Sequence, residues 1–180
     1  MTLFFDTLPT PIGVLSLEAD ETGLTAIHFP GRSPYKPESS NTSDLLAEAA
    51  RELQAYFEGR LKAFSVPLNW RGTPFQDTVW RALTDIPYGK TVSYGDIAKA
   101  IGRSKSARPV GGAVGRNPLP IIVPCHRVIG SDQSLTGFTG GIDIKVALLE
   151  QEGLHLQQRP QGPARPRGRP WGVMTGPVRR

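Results

Sequence analysis

The side chains best suited to covalent chemistry lie together in Pro124-Cys125-His126-Arg127-Val128-Ile129. Cys125 is the chain's one cysteine, which excludes an internal disulfide and a cysteine-pair zinc site. A lone cysteine is most often an inert, buried small hydrophobe. Three features oppose that reading. The thiol ends the apolar run Ile121-Ile122-Val123, an imidazole and a guanidinium follow it at once, and the glycine-rich stretch 135–141 is close in sequence. Nearby positive charge lowers a thiol pKa, and the thiolate is the nucleophile. In an extended segment Cys125 and His126 point to opposite sides, so their cooperation needs a bend in the chain or a bridging water. His126 also needs an acid to orient it, and the last helix offers Glu150 and Glu152. A thiol protease would need a separately placed histidine and an oxyanion hole, and a redox enzyme usually a resolving cysteine.

The elements that must hold this stretch fall into two groups. In the first, Leu3–Thr7, Val14–Glu18 and Leu24–Phe29 read as strands, separated by Pro9-Thr10-Pro11 and Asp20–Gly23 turns. Residues 30–42 read as a loop. Ser43 caps a helix to about Glu58, with Leu46, Ala49, Leu53 and Phe57 inward and Gly59 as its stop. Phe64, Val66 and Leu68 alternate as a last strand, which predicts a small α/β domain over 1–71.

The second group, 72–156, is predicted to be mainly helical. Thr73-Pro74-Phe75-Gln76 is a capping-box pattern opening a helix with Phe75, Val79 and Leu83 inward. Ile86–Gly89 is a turn, and Ser93-Tyr94-Gly95-Asp96 starts a second helix that Gly102 ends. A third begins near Ser106, since Pro109 is tolerated only in a first turn. These last two form a helix-turn-helix pattern. Ala107, Arg108, Gly111 and Gly112 give the third helix a face that can lie close to DNA or to another helix. A final helix runs from Ile142 to Glu152, with Ile144, Leu148 and Gln151 spaced along it.

Charge is unevenly spread. The formal net charge is +5, but residues 157–180 hold six arginines and no acid. Without them 15 basic and 16 acidic residues remain, a net of −1. Lys99 to Arg116 carries five positive residues and no acid, a local stripe of the kind that meets phosphates. The tail has five prolines and four glycines and is predicted to be disordered. No apolar run reaches the ~18 residues of a membrane span, and the N-terminus lacks a signal-peptide pattern, so an intracellular, cytoplasmic protein is expected.

The ordered set of motifs resembles the O6-alkylguanine-DNA alkyltransferase family. The motifs are Phe75-Gln76-x-x-Val79-Trp80, Ile86-Pro-Tyr-Gly89, Ser93-Tyr94-Gly-Asp-Ile97-Ala98, Ala107-Arg108-x-Val110-Gly111 and Asn117-Pro118. After them come Ile122-Val-Pro-Cys-His-Arg-Val128, Gly137-x-x-Gly-Gly141 and Lys145-x-x-Leu148-Leu149-x-x-Glu152-Gly153. The resemblance implies a ribonuclease H-like N-terminal domain and a helix-turn-helix domain carrying the cysteine. It implies repair of O6-alkylguanine, and of O4-alkylthymine, by irreversible transfer of the alkyl group to the protein, once per molecule. No cofactor and no metal are implied. The partner is double-stranded alkylated DNA, bound by a monomer through the minor groove with the damaged base flipped out.

By motif position, the resemblance makes Cys125 the acceptor, His126 its base through a water, and Glu152 the residue orienting His126. Tyr94 would rotate the phosphate and assist the leaving base, and Asn117 would brace the active-site loop. Arg108 would fill the gap in the stack, with Ala107, Gly111 and Gly112 beside it on the DNA face. Trp80, Val128, Phe138 and Thr139 would line the pocket, Val128 offering a carbonyl to the base and Thr139 an N–H near O6. Arg127 is expected to be structural. Phe138 stands where the family usually has tyrosine, and Pro109 where it has alanine. A non-catalytic protein that recognises alkylated DNA shares the helix-turn-helix, but such relatives lack the cysteine.

Overall fold

The computed structural model describes residues 2–34, 41–135, 137–156 and Val178–Arg179. Strands β1 (Phe4–Thr10), β2 (Gly13–Ala19) and β3 (Leu24–His28) form an antiparallel sheet in that order. Leu15, Leu17 and Ala19 alternate along β2 and are buried, as a strand's two-residue period requires. Pro9 belongs to β1 rather than to the expected turn, paired with Val14. β1 is an edge strand, where the missing N–H of proline is tolerated.

Helix α1 (Asp44–Phe57) is capped by Ser43, whose Oγ accepts from Leu46 N at 3.3 Å. Its buried face is Leu46, Ala49, Leu53 and Tyr56, so Tyr56 takes the place expected for Phe57. The strand expected over Phe64–Leu68 is absent. That segment contributes a single bridge, Leu24 to Leu68, with Leu24 N donating to Pro67 O and Asn69 N donating to Leu24 O, both at 2.8 Å. Pro67 has no N–H with which to continue a ladder. A Cβ on Gly23 would lie 2.9 Å from Asn69 N, so this close approach requires glycine.

A second unit is built from α2 (Pro74–Thr84), β4 (Val92–Ser93), α3 (Tyr94–Ala100), α4 (Ala107–Gly115), β5 (Val128–Ile129) and α5 (Ile142–Gln151). The chain divides into Met1–Thr73 with Asn117–Val123, and Pro74–Arg116 with the remainder from Pro124. The segment 117–123 therefore groups with the sheet. One link is Ile27 N donating to Pro118 O at 2.8 Å.

Helices α2, α3 and α4 pack on one another through Val79, Trp80, Leu83, Ile97, Ala98, Val110, Ala113 and Val114. Ser93 and Asp96 form a complete capping box at α3, and Gly102 follows its end at φ 72°. Pro109 sits in the first turn of an unbroken α4. β4 and β5 pair in parallel, Val92 opposite Val128. The buried residues of α5 are Lys145, Leu148 and Leu149, so Leu148 alone of the spaced set Ile144, Leu148 and Gln151 is buried. The tail lies outside the described residues, except that β7 (Val178–Arg179) pairs antiparallel with β6 (His155–Leu156). Among the described residues no helix is long and apolar enough to cross a membrane.

Candidate active site

The loop before the cysteine is tied by one side chain. Asn117 Oδ1 accepts from Leu119 N at 2.9 Å, and its Nδ2 donates to Val123 O at 2.7 Å. Ile121 is fully buried with φ 77°, a strained conformation for a β-branched residue that the surrounding contacts must hold. Residues 125–127 then form one 3₁₀ turn, closed by Arg127 N donating to Pro124 O at 3.0 Å. This is a bend at the cysteine, not an extended segment. Cys125 is 5% exposed, and His126 is fully buried.

The carboxylate that meets His126 is Glu152, just past α5; Glu150 is exposed. His126 Nε2 lies 2.7 Å from Glu152 Oε1. Arg127 reaches the same carboxylate as a fork, Nε to Oε2 at 2.8 Å and Nη2 to Oε1 at 2.9 Å. Gly89 N also donates to Oε2, at 3.1 Å. His126 Nδ1 is buried without a hydrogen-bond partner among the described residues. Burial pushes the His126 pKa down against the attraction of Glu152, so the ring is neutral. Burial would raise Glu152, but hydrogen bonds from His126 and Arg127 outweigh it and hold the acid at about 2.

A second cation completes the cluster. Lys145 is 1% exposed, and its Nζ donates to Val128 O at 2.6 Å. The ammonium also lies 5.8 Å from the centre of the Phe138 ring. Burial draws its pKa down to about 8, and the electrostatic interaction with Cys125 opposes that shift. The Val128 carbonyl, expected to serve a bound base, therefore already uses one lone pair. Thr139 is exposed, and its hydroxyl donates to Gly115 O at 2.9 Å, joining the glycine-rich loop to the end of α4.

Trp80 is buried at 2% exposure, its indole N–H donating to Ala113 O at 2.8 Å. It thereby fixes α4 against α2. Ala107 and Arg108 are exposed at the start of α4, and Tyr94 is half-buried at the start of α3. A Cβ on Gly111 would lie 3.7 Å from the Tyr94 ring, and one on Gly112 would lie 3.5 Å from Arg116 Nη1. Both are ordinary contacts, so packing within the protein does not demand either glycine. Arg103, between the two helices, is held 5.6 Å from the centre of the Phe75 ring.

Two family descriptions match the chain in succession. The ribonuclease-like domain of 6-O-methylguanine DNA methyltransferase matches residues 3–70, and its DNA-binding domain matches residues 74–154. The methylated-DNA–protein-cysteine methyltransferase of Methanosarcina acetivorans is 47% identical, covering 84% of this chain and 99% of its own. The chain belongs to this methyltransferase family.

The constitutive methylated-DNA–protein-cysteine methyltransferase of Bacillus subtilis is 44% identical, covering 87% of this chain and 99% of its own. The Mycobacterium tuberculosis OGT crystallised in complex with DNA is 47% identical, with a TM-score of 0.76 over 82% of this chain and 91% of that one. Within this methyltransferase architecture, sequence reasoning missed Lys145. Its signal was a lysine three and four residues before Leu148 and Leu149 on an apolar face. Arg127, expected to be structural, bonds the carboxylate that meets His126.

Proposed function

We propose that this protein repairs alkylated DNA by moving the alkyl group from O6 of guanine to Cys125 Sγ. The observation that carries the reading is a buried thiol in a bent turn beside a buried imidazole, one nitrogen of which is anchored to a carboxylate while the other has no partner among the described residues. The Cys125 proton passes, through a water, to His126 Nδ1. The sulfur attacks the alkyl carbon, a C–S bond forms, and the C–O6 bond breaks. Its electron pair leaves with guanine, which takes up a proton with help from the Tyr94 hydroxyl. The thioether is stable, so one molecule repairs one lesion.

Arg108 enters the stack in place of the flipped nucleotide. Its exposure at the start of α4, and the freedom of Gly111 and Gly112 from internal packing, support a face that lies close to DNA. Asn117 braces the cysteine loop, while Val128, Phe138 and Thr139 border the base and Trp80 supports them through α4. The protein acts in the cell compartment that holds DNA. The presence of Cys125 and kinship with named methyltransferases set aside the non-catalytic reading.

Intact-protein mass spectrometry after mixing with an O6-methylguanine oligonucleotide tests the proposal. Gain of one methyl, mapped to Cys125 and absent in Cys125→Ser, is expected. DNA binding with no gain of mass overturns it.

A further inference from the structure

Among the described residues at least four hydrogen bonds reach Glu152, and each of these comes from a group that can only donate or, for His126, must donate. Oε1 takes His126 Nε2 and Arg127 Nη2, and Oε2 takes Arg127 Nε and Gly89 N. A carboxylate offers about four acceptor positions, so its capacity is filled. With no proton of its own to share, Glu152 fixes the hydrogen of His126 on Nε2 and leaves a lone pair on Nδ1.

Arg127 is itself held from three sides. Its Nη1 donates to Ile86 O at 2.6 Å, and its guanidinium carbon lies 5.7 Å from the centre of the Tyr88 ring. The Tyr88 hydroxyl donates to Gln151 O at 3.1 Å, next to Glu152 in the chain. Gly89 has φ 72°, and a Cβ there would lie 3.2 Å from Glu152 O, so glycine is what lets this turn present its N–H. The turn 86–89 and Arg127 thus close around one carboxylate.

We infer that Arg127 is a positioning residue for the proton transfer: seated in the turn 86–89, it shares the charge of Glu152 and keeps His126 in the neutral form that can accept a proton at Nδ1. A lone carboxylate beside a buried imidazole favours imidazolium, which has no lone pair to offer. A cation shared between them removes that preference. The charged groups acting on His126 are Glu152 and Lys145 from α5 and its border, and Arg127 from its own turn; Cys125 precedes it in that turn, and Tyr88 faces the Arg127–Glu152 pair. Both cations act in the same direction as burial. The inference rests on His126 being the base.

Single-turnover methyl transfer from an O6-methylguanine oligonucleotide, followed against pH, tests it with the parent, Arg127→Met and Arg127→Lys. The Met variant is expected to move the acid limb up by about one pH unit, and Lys, which keeps charge but not the fork, to restore most of that shift at a reduced rate. An equal loss at every pH, with no movement of the limb, overturns the inference and leaves Arg127 merely structural. A parent that gains no methyl overturns the functional reading instead. Ring-nitrogen NMR of His126 in the parent needs no variant to fold. Hydrogen on Nε2 alone at pH 7 is expected, and an imidazolium or the opposite tautomer overturns the inference.

Discussion

Each of the two units buries an acid whose pKa falls to about 2, and the two are held by different means. Asp20, in the turn between β2 and β3, is ionised chiefly by the hydroxyl and N–H of Thr22, with Asn69 and Gly23 assisting. These donors are neutral, and three of the four bonds come from within three residues. Glu152 is met by an imidazole, a guanidinium and a backbone N–H from residues 26, 25 and 63 positions away. Neutral local donors finish a turn. A distant cation and imidazole around a fully buried carboxylate cost desolvation that a turn does not need, and such costs concentrate where a protonation state has to be set.

The sharpest way to break the comparison is to neutralise each acid. Glu152→Gln leaves Arg127 buried without its counter-charge and should cost about 3–5 kcal/mol. Asp20→Asn exchanges one neutral-donor turn for a weaker one and should cost about 1 kcal/mol. Denaturant unfolding of both variants gives the comparison, and equal losses would erase the distinction.

Away from either buried acid, Arg108→Ala acts on an exposed helix start. Repair of duplex DNA should fall by about tenfold or more, while reaction with free O6-methylguanine stays within about twofold, because only the duplex has a stack to fill. Equal losses in the two assays would remove Arg108 from that role.

Acid titration sharpens the contrast further. Each carboxylate is depressed, so its contribution is complete above its ordinary value and is lost as pH falls through the folded one. The window is 4.5 down to about 2 for Glu152 and 3.8 down to about 2 for Asp20. Urea midpoints measured from pH 6 to pH 3 should drop less steeply in each variant than in the parent. A variant as steep as the parent would show that its acid is not depressed.

The smallest effect is expected from the tail. Deleting 157–180 should change the slope of log Kd for DNA against log salt by less than ~0.9, about one phosphate contact. A larger change would make the six arginines part of the DNA contact.

Much of the fold was legible because its signals are local. Ser43 and Ser93 mark helix starts through side chains that accept from first-turn N–H groups, Pro109 fits only a first turn and Gly102 takes the positive φ of a stop, and the structure has helix ends there. The failures share a cause. Phe64–Leu68 alternates like a strand, but Pro67 cannot extend the ladder, and whether one strand accepts another depends on a partner far along the chain. The buried place of Lys145 on α5 went unread because periodicity counts lysine as polar, while here its ammonium finds the Val128 carbonyl inside.

The sequence by itself determined the reactive group. One cysteine, followed by histidine and arginine within an ordered set of motifs, marks the proposed acceptor and the family. The tertiary structure alone decided what surrounds it. Motif position had already pointed to Glu152; folding bent 125–127 into a 3₁₀ turn, set His126 Nε2 against that carboxylate and brought the turn 86–89 to it. Residue types and spacing constrain neighbours along the chain, but a buried charge is stabilised only by groups that folding places around it.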